Sequence, residues 1–295
     1  MLKVTNLTKY YDGITALNDV SLNVEKGDIY GFLGPNGAGK TTAIRIMMGI
    51  IKQDSGKIEL NNNEINEKNR MTLGYLPEDR GLYQKQSLED VLLYFGRLRG
   101  LNILDVKIKV NQWLDRFNLI NRKNRKIEEL SKGNQQKVQF IIALINDPTI
   151  LILDEPFTGL DPINQLLMKD IIREMQSEGK TILFSTHQMG QVERICNRIC
   201  LLNEGGVVLE GALNDIKSSY RSNAVELTYM GDLNKNELNS FFSKFKIDKN
   251  TLIGTLKTEP DLFLKWALNR VLITSFQIAV PDLEQIFIEE IKPSN

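Results

Sequence analysis

The sequence predicts an α/β protein: a mostly parallel core sheet with an N-terminal antiparallel β subdomain and a helical insert, followed by a small α+β domain. Three observations carry this prediction. The apolar run DIYGFLG (28–34) feeds a glycine-rich turn and then TTAIRIMMGI (41–50), whose apolar residues suit a buried helix, so the three form a strand–loop–helix unit. The segment TILILDEP (149–156) is an apolar stretch ending in two carboxylates, the pattern of a buried parallel strand. Past about residue 220 the composition shifts, and RSN (221–223) marks a boundary.

The elements follow in order. LKVTNL (2–7) and DVSLNV (19–24) alternate apolar and polar residues and read as strands of the antiparallel subdomain. From about 87 to 146 the pattern turns helical, in VLLYFGRLRG, VNQWLDRFNLI and KVQFIIALI, which makes an insert between two halves of the core. After TILILDEP come a helix, INQLLMKDIIREMQSEG, closed by Gly179, and a strand, KTILFST. ICLLNEGGVVLEG places Gly205-Gly206 between two apolar runs, a hairpin signal. The first domain is therefore set at 1–219 and the second at 220–295. In the second, AVELTYM, TLIGTLKT and VLITSFQIAV read as strands. ELNSFFSKF, DLFLKWALNR and PDLEQIFIEEI read as amphipathic helices, the last opening with Pro281 at its first position.

Composition bounds the function. The chain has 295 residues, 42% hydrophobic, with 37 Lys and Arg against 37 Asp and Glu, so its formal charge is zero. A nucleic-acid binder working by bulk attraction is disfavoured. The longest uninterrupted apolar run, Phe140 to Ile145, is far short of the roughly 18 residues of a spanning helix. The first residues lack an apolar signal core, so the protein is expected to remain in the cytoplasm. The two cysteines, Cys196 and Cys200, fit neither a CxxC motif nor a disulfide framework, and are expected to be buried thiols. There is a single histidine, His187.

The loop Gly34-Pro35-Asn36-Gly37-Ala38-Gly39-Lys40-Thr41 matches G-x-x-x-x-G-K-[ST] without deviation. Its glycines let successive backbone N–H groups wrap a phosphate. Lys40 supplies a mobile positive charge, and Thr41 offers a hydroxyl to Mg²⁺ at a helix N-terminus. More than a hundred residues downstream, Asp154 ends the buried strand beside this loop, where it can hold Mg²⁺, while Glu155 can polarise an attacking water. An acidic pair at a strand end can also merely cap the next helix; the phosphate loop in the same core favours the chemical reading. Between them, Leu130-Ser131-Lys132-Gly133-Asn134-Gln135-Gln136 opens an apolar helix. Locally Ser131 is an N-cap, and such a helix start is also an anion site.

In this order the motifs resemble those of the nucleotide-binding subunit of an ABC transporter, over roughly residues 1–215. The resemblance implies the P-loop NTPase fold of an ABC cassette and an ATPase that uses ATP and Mg²⁺. LSKGNQQ looks like the family's LSGGQ signature, with Lys132 and Asn134 replacing Gly and Gln; Ser131 and Gly133 are retained, and Gln135 and Thr42 join them as implied nucleotide contacts. Leu160-Asp161 resembles the D-loop. His187 looks like the switch histidine that touches the γ-phosphate, although a lone histidine is more often structural; neutral, it can hydrogen-bond a phosphate oxygen or the water, and protonated it adds attraction. Tyr11 matches the aromatic that stacks on adenine, ahead of Tyr10. Where the family has a Gln that ligates Mg²⁺, Gly74-Tyr-Leu-Pro-Glu78 puts Glu78. That departure and the C-terminal domain resemble exporter cassettes of the drug-resistance and sodium-export type.

The resemblance further implies two cassettes, a homodimer, facing each other head to tail. Each ATP would lie between Lys40, Thr41 and Asp154 of one copy and Ser131 and Gly133 of the other. It also implies a separate polytopic permease, with the chain peripheral on the inner face of the membrane. The helical insert, with the segment after Glu78, is the expected docking surface; exposed apolar residues within Val91–Phe95 could seat that partner, but core packing is the commoner explanation of such a stretch. The rival reading is a non-transport ABC ATPase acting on ribosomes or DNA. Ribosome-associated members carry two cassettes and a charged linker, and DNA-repair members insert long coiled coils; this chain has neither.

Overall fold

In chain order, β1 (Leu2–Tyr11) and β2 (Ile14–Val24) form a hairpin, and β3 (Ile29–Leu33) leads through the glycine-rich loop into α1 (Lys40–Met47). Next come β4 (Ser55–Leu60), β5 (Asn63–Glu64), the one-turn α2 (Glu67–Arg70) and β6 (Leu73–Leu76). The helical insert contributes α3 (Leu88–Leu98), α4 (Ile103–Arg116) and α5 (Lys132–Leu144). The core resumes with β7 (Ile150–Asp154), α6 (Pro162–Ser177), β8 (Thr181–Thr186), α7 (Met189–Ile195), β9 (Arg198–Asn203) and β10 (Gly206–Ala212). The structure, a computed structural model, describes residues 1–79, 81–220, 223–278 and 282–291. Arg221, Ser222 and Pro281, at the expected boundary and helix start, lie outside the described residues.

The chain divides into two compact units, Met1–Ala212 and Leu213–Asn295. In the first, an antiparallel sheet has the order β2-β1-β4-β5 and a second sheet the order β10-β9-β3-β8-β7-β6. All neighbours in the second sheet are parallel except the β9–β10 hairpin. Every residue of β3, β7 and β8 is buried, because both faces of this sheet are covered, and so these strands read as continuous apolar runs. Their carboxyl ends converge where β3 gives way to the glycine-rich loop and β7 delivers Asp154. Among the described residues no helix is long and apolar enough to cross a membrane. Cys196 and Cys200 are free and buried, and burial raises both thiols.

The insert packs α3 against α4 and α5, and Val91, Leu92, Val106 and Val110 are buried there. Of the Val91–Phe95 stretch, Val91 and Leu92 are therefore core, whereas Tyr94 is half exposed and packs edge-on against Tyr83 at 5.5 Å.

The second unit holds α8 (Leu213–Ser219), β11 (Ala224–Met230), α9 (Lys235–Phe241), β12 (Phe242–Asp248), β13 (Thr251–Leu256), α10 (Pro260–Leu268), β14 (Leu272–Ile278) and α11 (Leu283–Ile291). Its antiparallel sheet has the order β12-β13-β11-β14. The sequence reading of ELNSFFSKF as one helix fails here: the helix stops at Phe241, and Phe242 begins a strand. An F-x-x-F spacing also fits a strand that slips by one residue. Such an irregularity falls between Phe242 and Lys244, after which Phe245 pairs with Gly254 and Ile247 with Leu252. Gly254 is needed there, since a Cβ would lie 2.6 Å from the Phe242 ring and 2.7 Å from the Lys244 carbonyl oxygen.

This unit's core is aromatic. Phe263 is fully buried, edge-on to Phe242 at 4.8 Å and stacked with Trp266 at 5.8 Å. Phe263→Ala is expected to destabilise the unit by about 3–5 kcal/mol. The readout is a lowered denaturant midpoint of Trp266 fluorescence in a Trp113→Phe background; an unchanged midpoint would place the core elsewhere.

Candidate functional site

The loop from Gly34 to Thr41 runs from the buried end of β3 to the first turn of α1. Gly39 occupies the N-cap of α1 with φ 102°, and a Cβ there would lie 2.5 Å from the Ala16 carbonyl oxygen. Only glycine serves at this point, and with no side-chain cap the first-turn N–H groups of α1 stay available to an anion. Gly37, at φ 82°, has nothing within 4 Å of its Cβ position and faces open space. The Lys40 ammonium donates to the carbonyl oxygens of Gly34 at 2.8 Å and Pro35 at 3.0 Å, so it arches back over the loop. Burial pulls its pKa down, while Glu155, Asp154 and Glu78 pull the other way.

A cavity of about 240 Å³ opens above the loop. Asn36, Gly37, Gly39, Lys40, Thr41, Thr42, Glu78 and Glu155 line it, together with Ala16, which the sequence did not single out. Thr41 Oγ1 donates to Glu78 Oε2 at 3.3 Å. Asp154 lies beneath, fully buried, and Ser185 Oγ donates to its Oδ1. Burial raises the Asp154 carboxyl above its ordinary value, and the Ser185 hydrogen bond opposes the rise. Asp154 Oδ2 is buried without a hydrogen-bond partner. A buried acceptor left over in this way, with a hydroxyl and a second carboxylate close by, suits a hard divalent cation. Mg²⁺ needs only one or two carboxylates when phosphates and water complete its shell.

Glu155 follows directly, with backbone φ 48° and its side chain nearly buried. Its carboxylate takes three hydrogen bonds from the end of β8. Thr186 Oγ1 donates to Oε2 at 3.3 Å, His187 N–H donates to Oε1 at 3.1 Å, and His187 Nδ1 sits 2.8 Å from Oε1. An ionised carboxylate only accepts, so Nδ1 donates in this contact and Nε2 is left for another partner. The His187 side chain is 44% exposed, so Nε2 faces outward from this pair.

The remaining predicted residues lie apart from the cavity lining. Ser131 caps α5, accepting from Asn134 N–H at 3.4 Å, and is exposed. Gly133 packs against the chain after Glu155, where a Cβ would lie 3.3 Å from the Gly159 carbonyl oxygen. Gln135 donates its amide to the Ile127 and Leu130 carbonyl oxygens at 3.1 and 3.2 Å, which ties α5 to the turn before it. Asp161 is the N-cap of α6 and accepts from Asn164 N–H at 3.0 Å, a bond that holds its carboxyl below the usual range. Tyr11 ends β1, 40% exposed, with the Lys9 ammonium 5.3 Å from its ring centre; Tyr10 is more exposed still.

Ser185 and Thr186 went unassigned in the sequence. Their signal was positional: two hydroxyls just before the histidine, on the strand that pairs with the acidic one, with Asp154 opposite Ser185.

The chain is similar to known proteins in sequence and in fold. The ABC transporter family matches residues 17–158. The chain is 46% identical over 239 residues to the uncharacterized ABC transporter ATP-binding protein MJ1023 of Methanocaldococcus jannaschii, covering 80% of this chain and 86% of that protein. It is 36% identical over 294 residues to the uncharacterized ABC transporter ATP-binding protein YhaQ of Bacillus subtilis, covering 99% and 98%. It is 35% identical over 253 residues to Nod factor export ATP-binding protein I of Burkholderia lata, covering 84% and 83%. Among solved structures, the dimeric bacterial ABC transporter cassette MJ0796 superposes with a TM-score of 0.67 at 26% identity, covering 72% of this chain and 99% of that one.

Lys40→Ala is expected to weaken ATP binding by about 1.5–3 kcal/mol, roughly ten- to a hundredfold, because a charge-assisted contact is lost. Calorimetric titration measures this, and unchanged affinity would remove the phosphate from this loop.

Proposed function

This chain belongs to the ABC transporter family as an ATP-binding subunit, and from that premise we propose that it is the ATP-hydrolysing motor of an exporter. In this reading two copies close on ATP and drive a separate membrane permease. The observation that carries the reading is one cavity where Lys40, Thr41 and the phosphate loop meet Glu155, itself held by His187.

ATP phosphates entering this cavity exchange for the Gly34 and Pro35 carbonyl oxygens as partners of the Lys40 ammonium, and receive the free N–H groups at the start of α1. Asp154 Oδ2 and Thr41 Oγ1 would hold Mg²⁺, with Glu78 beside them. When bound, the ion neutralises charge that develops on the phosphates. Glu155 takes a proton from the attacking water, and His187, anchored through Nδ1, offers Nε2 toward the γ-phosphate side. Tyr11 supplies an exposed ring for the adenine.

Ser131 and Gly133 are absent from the cavity lining of their own chain, and Ser131 is exposed. That placement supports their serving the ATP of a second copy, an arrangement in keeping with the dimeric cassette named above. ATP then joins the two copies, and hydrolysis releases them. Tyr83, Gln86, Asp90, Val91 and Tyr94 line a cavity of about 440 Å³ in the helical insert, which would seat a helix of the permease. Export is supported by Glu78 in place of the usual Gln, by the second unit and by the likeness to an export protein. The cassette would then work on the cytoplasmic face of the membrane, attached through its permease.

Glu155→Gln is expected to lower ATP turnover by roughly a hundred- to ten-thousandfold. ATP binding should persist, and a nucleotide-bound dimer should accumulate in light scattering. Turnover at the wild-type rate would show that Glu155 is not the base.

A further inference from the structure

Strand β8 ends on two buried hydroxyls, Ser185 and Thr186, each of which accepts a backbone N–H and donates to a carboxylate. Ser185 Oγ accepts from Glu155 N–H at 3.1 Å and donates to Asp154 Oδ1. Thr186 Oγ1 accepts from Gln188 N–H at 3.1 Å and donates to Glu155 Oε2 at 3.3 Å. A hydroxyl has one proton, so a backbone N–H aimed at its oxygen leaves that proton for the carboxylate. The register of the parallel sheet, with Asp154 opposite Ser185, puts the two strands' polar ends side by side.

The consequence for Glu155 is a division of labour between its oxygens. Oε1 accepts both the His187 N–H and the His187 ring, which fills its two lone pairs. Oε2 accepts only from Thr186, so one lone pair remains, and Glu155 lines the cavity where the water must stand. Ser185 meanwhile occupies Asp154 Oδ1 and leaves Oδ2 unpartnered.

We propose that Thr186 is a positioning residue for ATP hydrolysis: its hydroxyl fixes the Glu155 carboxylate so that Oε2 is the atom that takes the proton from water. Ser185 holds Asp154 Oδ1 in the same way and leaves Oδ2 free for a cation that Asp154 would hold. The inference rests on Glu155 acting as the base. Thr186 touches neither water nor nucleotide, and it acts through Glu155 alone.

The test compares wild type with Thr186→Val, which keeps the shape and removes the hydroxyl, and Thr186→Ser, which keeps the hydroxyl and removes the methyl group. Steady-state kcat and KM and equilibrium ATP binding are measured on the full chain. Thr186→Val should lower kcat by roughly tenfold or more, the scale of a misaimed catalytic group, with ATP affinity unchanged. Thr186→Ser should keep most of the wild-type kcat. Wild-type kcat in Thr186→Val would overturn the proposal, and so would an equal loss in both variants, since packing would then be the cause. If valine prevents folding, Thr186→Ala against Thr186→Ser isolates the same hydroxyl, and equal kcat in that pair overturns it too. Glu155→Gln run in parallel separates the two levels. Full turnover in that variant refutes the base assignment, whereas an inactive Glu155→Gln beside an unaffected Thr186→Val refutes only the role of Thr186.

Discussion

The Lys40 ammonium faces three carboxylates, Glu155, Asp154 and Glu78, around the phosphate loop, and the rest of the site is arranged about that imbalance. Phosphates brought there without a counterion would meet like charge at short range in a partly desolvated cavity. Each such contact costs on the order of 1–4 kcal/mol. A divalent cation between the phosphates and the Asp154–Glu78–Thr41 oxygens turns the same layout from repulsive to attractive. The partnerless Asp154 Oδ2 is the local sign of that requirement, because a buried acceptor without a donor is unfavourable until something positive arrives.

The sheet makes this placement possible. Burying β3, β7 and β8 on both faces fixes their register, and the register decides which side chains meet at the carboxyl ends. Ser185 lies opposite Asp154, and the next two residues, Thr186 and His187, then reach Glu155. Glu155 adopts a left-handed backbone conformation that a non-glycine residue avoids, at a cost of about 1–2 kcal/mol. Its N–H bond to Ser185 and three bonds to its carboxylate hold it there. The acids are therefore set by the core and not by a loop.

Much of this was legible in the sequence, for physical reasons that differ by residue. The phosphate loop shows because wrapping an anion needs glycines at fixed spacing, and Asp154-Glu155 shows only through that loop in the same core, since acids at a strand end can otherwise cap the next helix. Ser185 and Thr186 were silent because their roles exist only across the β7–β8 pairing. Gln135 looked like a ligand-facing amide from its place in the motif, but it faces carbonyl oxygens of its own turn. The ELNSFFSKF segment misled because aromatic spacing suits a helix and an irregular strand alike, and pairing with β13 decided the outcome. Core packing is the commoner explanation of a stretch like Val91–Phe95, and Val91 and Leu92 are buried, whereas Tyr94 is half exposed.

Charge around the phosphate loop is expected to make nucleotide binding depend on a divalent cation. That dependence is tested most directly by calorimetric titration of the wild-type chain with ATP, once with Mg²⁺ and once with excess EDTA. Affinity at least roughly tenfold tighter with Mg²⁺ is the expected result. Equal affinity under both conditions would contradict it, since the three carboxylates would then exert no effect on the phosphates.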